Sequence, residues 1–319
     1  MLYPLTFHPI SKARVWGGRE MERLYQKQLP AGRPIGESWE ISDRPGDVSV
    51  IANGALAGKN LRWLMDNHRA DLLGSAKPAT GDRFPWLCKI LDAREKLSLQ
   101  VHPKPGSAGE PKTELWFIAD AAPGAELFVG LKRGVTRSEF EKKIRTGKVA
   151  ECVHRLPVRA GDAMFLPSGR VHAIGAGLVI FEIQQNSDTT YRVFDWNRTG
   201  LDGKPRELHV AQSLASIDFN DFEPALVQSQ PTDHEVNIRQ LVNDPLFKIE
   251  AVKMKHGTGL NLKSRTLQII AATDGQVEIK GGSMAVELSP GQFGLIPAGL
   301  ERTEVLAKSD AAWLRVAAN

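Results

Sequence analysis

The feature that most restricts this chain is a gapless internal repeat: GDAMFLPSGRVH, Gly161 to His172, aligns with GQFGLIPAGLER, Gly291 to Arg302, at an offset of 130 residues. Gly161, Leu166, Pro167 and Gly169 recur as Gly291, Ile296, Pro297 and Gly299. Each copy reads as a tight turn at the first glycine, a short apolar strand, and a Pro-x-Gly turn that feeds the next strand. Such a unit used twice implies two similar β domains. The 319 residues leave room for about two domains, and a 42% hydrophobic content supplies a sizeable core.

The rest of the sequence agrees with a mainly β chain. Short apolar or alternating runs, such as Val48 to Ile51, Trp86 to Leu91, Leu115 to Ile118 and Leu178 to Ile183, are separated by Gly, Pro, Asp and Asn. Helical periodicity is confined to Leu61 to Leu73 (closed by Gly74), Arg137 to Ile144 (opened by Thr136, with Glu139 in capping-box position) and Glu207 to Ala215. These helices decorate sheets and do not alternate with strands. The polar stretch from Gln228 to His234 reads as a connector, which divides the chain into residues 1–230 and 231–319. The copies differ at their last position, where His172 is replaced by Arg302, a side chain that keeps its proton and cannot ligate a metal. Only the first domain is chemically equipped; the second is a degenerate copy.

A metal constellation sits in that first domain. In LSLQVHPKP, Gln100 and His102 stand two apart in an alternating strand, so both side chains emerge on one face. Glu114 begins the next strand in KTELWFI, and Pro103, Pro105, Gly106 and Gly109 suggest a hairpin that brings it opposite His102. His172 follows the Pro-x-Gly turn and points from a third strand into the same mouth. Two imidazoles, one carboxylate and one amide oxygen suit zinc, with manganese or iron(II) as alternatives. A lone histidine is more often an ordinary core or surface group; four candidate ligands on one repeated turn motif are not. The remaining histidines, His8, His68, His154, His209, His234 and His256, lack such company and read as structural or exposed.

A second constellation follows in FEIQQNSDTTYRVFDWNR, where Glu182, Asp188 and Arg192 stand among strand-like apolar residues. A carboxylate and a guanidinium close to a divalent metal are the parts needed to move a proton between adjacent carbons while a negative oxygen develops. The bland alternative is a set of structural ion pairs at the barrel mouth.

Composition narrows the function classes. No stretch approaches the roughly 20 apolar residues of a membrane helix, and Pro4, His8 and Pro9 interrupt any apolar signal core, so a cytoplasmic location is expected. Cys88 and Cys152 show no CxxC spacing and read as buried, reduced thiols. The net charge of +4 suits an anionic substrate, but 41 basic residues interspersed with 37 acidic ones do not describe a nucleic-acid surface. Lys142, Lys143 and Arg145 share a helical pattern with Glu139 and Glu141 and read as a solvated face.

With those residues laid out, the chain resembles the type I mannose-6-phosphate isomerase (phosphomannose isomerase) family, in its short bacterial class. The likeness runs through WGG at Trp16 to Gly18, GESWEIS at Gly36 to Ser42, NGALAG near Asn53, LCKILDA, LSLQVHP, KTELWFI, PSGRVHAIGAG, NSDTTYRVFDWNR and KPRELH. The resemblance implies two cupin (double-stranded β-helix, jelly-roll) barrels. It also implies a zinc ion on Gln100, His102, Glu114 and His172, and interconversion of mannose 6-phosphate and fructose 6-phosphate through an enediol-type intermediate. The family's catalytic arginine falls on Arg192; Lys112 and Asp188 match residues assigned to proton transfer or positioning, and Glu182 lies on the strand facing the site. Longer members carry a histidine where Pro111 precedes Lys112, so a mechanism through that imidazole is closed to this chain. Lys112, Arg192 and Arg170 are the candidates for the substrate phosphate. The expected partner is a small sugar phosphate, with no nucleic acid and no membrane, and a monomer is expected with a dimer left open. Two readings from other classes compete, a sugar-binding cupin without turnover and a metal-dependent cupin oxidoreductase or epimerase, because one barrel hosts many chemistries.

Overall fold

The computed structural model describes residues 2–230, 232, 235–263 and 265–319. The first half forms two facing sheets. One has six strands in the order Ala163–Leu166, Glu114–Ala121, Leu178–Gln185, Trp86–Ala93, Ile10–Gly18 and Ile35–Ile41. The other has five, in the order Val153–Pro157, Glu126–Leu131, His172–Ile174, Leu99–Val101 and Tyr191–Phe194.

The two central strands of the larger sheet explain why their sequences read as unbroken apolar runs. Trp86–Ala93 and Leu178–Gln185 pair antiparallel along their whole length, from Leu178 opposite Ala93 to Gln185 opposite Trp86. Both faces of this sheet are covered, so neither face needs polar residues. Leu178, Ile180, Leu91 and Ala93 point into the barrel with Trp116 and Ile118, whereas Val179, Phe181, Ile183, Cys88 and Ile90 point outward into a second cluster. Glu182 and Gln184 continue the inward face past Ile180, and Lys89 continues it past Leu91. The barrel interior is therefore apolar at one end and charged at the other. All three polar side chains are buried, and burying charge is tolerable only where it is paired or holds a ligand.

The second half repeats the plan with strands Val236–Asp244, Phe247–Met254, Ala311–Ala317, Gln268–Asp274 and Phe293–Ile296 in one sheet and Gly259–Asn261, Thr303–Ala307, Val277–Gly281 and Met284–Leu288 in the other. Its interior is apolar, with Val252, Ile270, Ile279, Val305 and Trp313 among the buried residues. The outward face of the first barrel's six-stranded sheet packs against the second half in one continuous cluster. Phe181 stacks on Phe293 there with centroids 5.5 Å apart, and Leu5 exchanges two backbone hydrogen bonds of 2.8 Å with Leu295. Offset aromatic pairs of this kind add about 0.5–1.5 kcal/mol beyond area burial.

The sequence repeat coincides with an equivalent strand in each half. Gly161 and Gly291 both take left-handed φ, 90° and 80°, and each opens a four-residue strand. Glycine holds these positions because a side chain there is strained. Register then exposes the difference between the copies: Leu166 stands opposite Glu114, whereas Ile296 stands opposite Gln268.

Helices deviate from expectation at their ends. The stretch Leu61 to Leu73 is two helices, Leu61–Asn67 and Arg69–Leu73, broken at His68, whose φ of −137° leaves the helical region. Arg137–Arg145 begins as expected, with Thr136 Oγ1 accepting from Glu139 N at 3.2 Å. The last helix is Val210–Ser216, not Glu207 to Ala215, because Glu207 and His209 are committed to the neighbouring strand, as described below. Residues 231, 233 and 234 of the expected connector lie outside the described residues. Among the described residues, no helix is long and apolar enough to cross a membrane.

Candidate metal centre and active site

At the charged end of the first barrel, His102, Glu114 and His172 bring their ligand atoms within 4.8 Å of one another, and all three side chains are buried. His102 Nε2 lies 3.6 Å from Glu114 Oε2, and His172 Nε2 lies 3.5 Å from Glu114 Oε1. Each ring is oriented from behind: His102 Nδ1 and His172 Nδ1 lie 2.9 Å from the Thr189 and Arg170 carbonyls. A carbonyl can only accept, so Nδ1 carries the proton and Nε2 presents its lone pair to the centre. His102 Nε2 and Glu114 Oε1 are buried without a hydrogen-bond partner. Buried polar atoms left this way are costly unless something else meets them. These residues fit a divalent metal, and the Gln100 amide nitrogen lies beside them, 3.4 Å from His172 Nε2. Turned over, the same amide offers its oxygen to the centre instead.

The ligands converge by a route different from the expected hairpin. Leu99–Val101 and Glu114–Ala121 belong to different sheets, so His102 meets Glu114 across the barrel and not across a turn. Only Gln100 lies within the strand; His102 follows its end. Gln100 is opposite His172 on one side and Arg192 on the other, which places all three at one level of the smaller sheet.

Next to the centre runs a row of buried charges of alternating sign. Lys112 Nζ is 2.7 Å from Glu114 Oε2 and 3.8 Å from Glu182 Oε1, and Lys89 Nζ is 3.2 Å from that same Glu182 oxygen. Trp116 Nε1 donates to Glu182 Oε2 at 2.9 Å and sets its ring edge-on to His172. Burial alone would raise the Glu114 carboxyl, but the Lys112 ammonium and the two imidazoles hold it well below the usual carboxylate range. Burial would likewise deprotonate Lys112, and Glu114 and Glu182 reverse that and raise it. Burial, with His102 as a second cause, pushes the His172 imidazole down to about 3, so the ring is neutral and ready to ligate.

Gln100, Lys112, Glu182, Asp188 and Arg192 line one cleft of about 600 Å³. Asp188 is exposed at its rim. Arg192 is held by the Glu207 carbonyl, 2.7 Å from Nη1, and its Nε is buried without a partner. Arg170 is elsewhere: it makes two 2.8 Å bonds to Asp221 and one to the Phe165 carbonyl, a structural clamp that does not line the cleft. In the second half, Arg302 is exposed and Gln268, at the register position of Glu114, donates to the Lys263 carbonyl. Among the described residues, no second cluster of three ligating groups is present.

Several lining residues went unread in the sequence. Glu37, from GESWEIS, takes a two-pronged contact from Arg14 (2.9 and 3.1 Å) and one from Trp39 Nε1 (2.6 Å). Lys89 and Arg14 bring the Glu37 carboxyl down to about 2 against the upward push of burial. The glycines of WGG and GES let their strands approach: a Cβ on Gly17 would lie 2.4 Å from Gly36 N, and one on Gly36 would lie 2.6 Å from the Trp16 ring. The signal was present as single charges inside otherwise apolar strands, Glu37 in IGESWEI and Lys89 in WLCKILDA.

A jelly-roll barrel with two imidazoles and a carboxylate at its mouth is the mark of a metal-binding cupin protein. The comparisons carry the assignment further. The model of the phosphomannose isomerase type I catalytic domain matches residues 5–114. Mannose-6-phosphate isomerase ManA of Bacillus subtilis is 36% identical over 307 residues, spanning 93% of this chain and 94% of its own. The crystal structure of the mannose 6-phosphate isomerase from Bacillus subtilis superposes with a TM-score of 0.88 at 27% identity over 99% of both chains. A zinc-bound mannose 6-phosphate isomerase shares the fold with a TM-score of 0.75 at 16% identity over 98% of both chains. The chain belongs to the type I phosphomannose isomerase family.

Proposed function

We propose that the protein interconverts mannose 6-phosphate and fructose 6-phosphate in the 600 Å³ cleft of its first barrel, through an enediol-type intermediate. The observation that carries this reading is the junction of a buried His–Glu–His centre with the alternating row Lys89, Glu182, Lys112 and Glu114, of which Lys89, Glu182 and Lys112 line that one cleft. A sugar-binding cupin without turnover has no need to bury four such charges.

Gln100, His102, Glu114 and His172 would hold the metal, and zinc is favoured by the mixed nitrogen and oxygen donors and by the zinc-bound relative. When bound, zinc supplies Lewis-acid polarisation of the sugar's oxygens on carbons 1 and 2. The remaining work falls to the chain. Glu182, flanked by Lys89 and Lys112, is a buried carboxylate that lines the cleft and carries the proton between the two carbons. Lys112, held charged, supplies the acid partner that meets the developing oxygen anion. Arg192 stabilises the same charge from the opposite sheet. Asp188 orients hydroxyl groups at the rim. A general base contributes about 10²- to 10⁴-fold and an oxyanion donor about 10²- to 10³-fold, so no single residue need supply the whole barrier. The isomerisation is internally balanced in electrons, so no organic cofactor is required.

Residues 1–230 are the catalytic unit in this reading and residues 231–319 a degenerate barrel that backs it. The protein is read as a cytoplasmic monomer that acts on a small sugar phosphate and binds no nucleic acid. Proton NMR of mannose 6-phosphate incubated with the zinc-loaded protein tests the function: fructose 6-phosphate signals should grow to an equilibrium reached from either sugar. An unchanged spectrum at high enzyme concentration contradicts it.

A further inference from the structure

Arg192 is contacted through its backbone by His209. Among the described residues, the Tyr191–Phe194 strand is the outermost of the five-stranded sheet, paired only with Leu99–Val101. The N–H and C=O of one strand residue point to the same side, and those of Arg192 face the free edge. Such groups need partners, and in Arg192 a single residue meets both. His209 N–H donates to Arg192 O at 2.8 Å, and Arg192 N–H donates to His209 Nδ1 at 3.2 Å. Two residues earlier, the Glu207 carbonyl accepts from Arg192 Nη1 at 2.7 Å. The segment Glu207 to His209 thus grips the arginine by its backbone and by its guanidinium.

The local sequence shows what this contact displaces. His209 occupies the N-cap position of the Val210–Ser216 helix, yet its side chain makes no capping bond. Ser, Thr, Asn or Asp would serve that helix better, by about 1 kcal/mol. The ring instead turns away to the strand, where Nδ1 must be the unprotonated nitrogen because it accepts from an amide.

We infer that His209 is a positioning residue: through its Nδ1 acceptor it fixes the Arg192 backbone and hence the donors that Arg192 presents to the reacting oxygen. This rests on the oxyanion role proposed for Arg192. A shift of about 1 Å in such a group can cost on the order of 10²-fold in rate.

Three substitutions separate the side-chain acceptor from mere bulk. Asparagine places its amide oxygen near the position of Nδ1, whereas glutamine reaches only to the position of Nε2. His209→Ala and His209→Gln should lower kcat about 10- to 100-fold with KM and zinc content held, and His209→Asn should restore most of the turnover. Amide hydrogen exchange gives a readout independent of activity: the Arg192 amide should exchange faster in His209→Ala and His209→Gln and stay protected in His209→Asn. Wild-type turnover in His209→Ala, or equal loss in all three variants, overturns the inference. If His209→Ala fails to fold, the asparagine and glutamine pair still decides it. Arg192→Ala is run alongside. Full activity there sinks the role of Arg192, and the exchange result then decides the His209 contact separately.

Discussion

Lys112 Nζ lies 2.7 Å from Glu114 Oε2, an ammonium and a carboxylate joined with side chains only 5% and 0% exposed. Breaking a buried pair from one side typically costs about 3–5 kcal/mol, because the abandoned charge has no solvent. A bound metal would offer Glu114 a replacement cation. Lys112→Met should therefore destabilise the metal-free protein by that amount and the zinc-loaded protein far less, while turnover falls about 10²- to 10⁴-fold. Thermal melts with and without zinc, paired with steady-state rates, check both halves. Equal destabilisation in the two forms would show that Glu114 does not face the metal.

The neutral state of the histidines makes a separate prediction about protons. His172, pushed down to about 3 against an ordinary value of 6.5, is unprotonated in the folded chain at pH 7. Its folded pKa is depressed, so its contribution to stability is complete above 6.5 and fades as pH falls toward 3. Zinc binding near neutral pH should release no imidazole protons. Calorimetric enthalpies measured in buffers of different ionisation heat should then agree; a buffer-dependent slope contradicts the prediction.

Glu37 offers a stability test away from the metal. Its carboxyl sits at about 2 in the fold against 4.5 ordinarily, which corresponds to about 3 kcal/mol when it is fully ionised. A carboxyl depressed in the fold contributes stability that is complete above 4.5 and is lost as pH drops toward 2. The difference in melting temperature between wild type and Glu37→Gln should be largest above that window and shrink below it. A difference that grows on acidification would assign the stabilisation to some other group.

The two halves share a repeat but not a chemistry, and this too can be tested. Arg302→His restores the missing residue of the repeat, yet Gln268 stands where the first barrel has Glu114, and position 302 is exposed. Metal content by mass spectrometry should be unchanged by the substitution. A second equivalent of tightly bound zinc would show that one histidine suffices.

How much of this was legible in the sequence depends on the range of the interaction. The four candidate ligands were legible because local signals place them: alternation around Gln100, the strand start at Glu114, and the repeated turn before His172. Their convergence was read by the wrong route, since a hairpin is a local inference and the meeting of His102 with Glu114 across two sheets is not. The partners Lys89 and Glu182 are set by strand register over 93 positions of sequence and leave no local trace beyond a lone charge in an apolar strand. His209 was missed for the same reason: its partner is an edge strand 17 residues away, and a histidine before a helix carries no signal of that.

The central claim is a metal-dependent isomerase, and the most direct measurement is fructose 6-phosphate formation from mannose 6-phosphate in a coupled assay. The same preparation is assayed as isolated, after removal of metal by chelator, and after zinc is restored. Activity should vanish with the metal and return with zinc in proportion to the zinc bound. Absence of turnover in the zinc-replete protein, or turnover untouched by complete metal removal, would contradict the account.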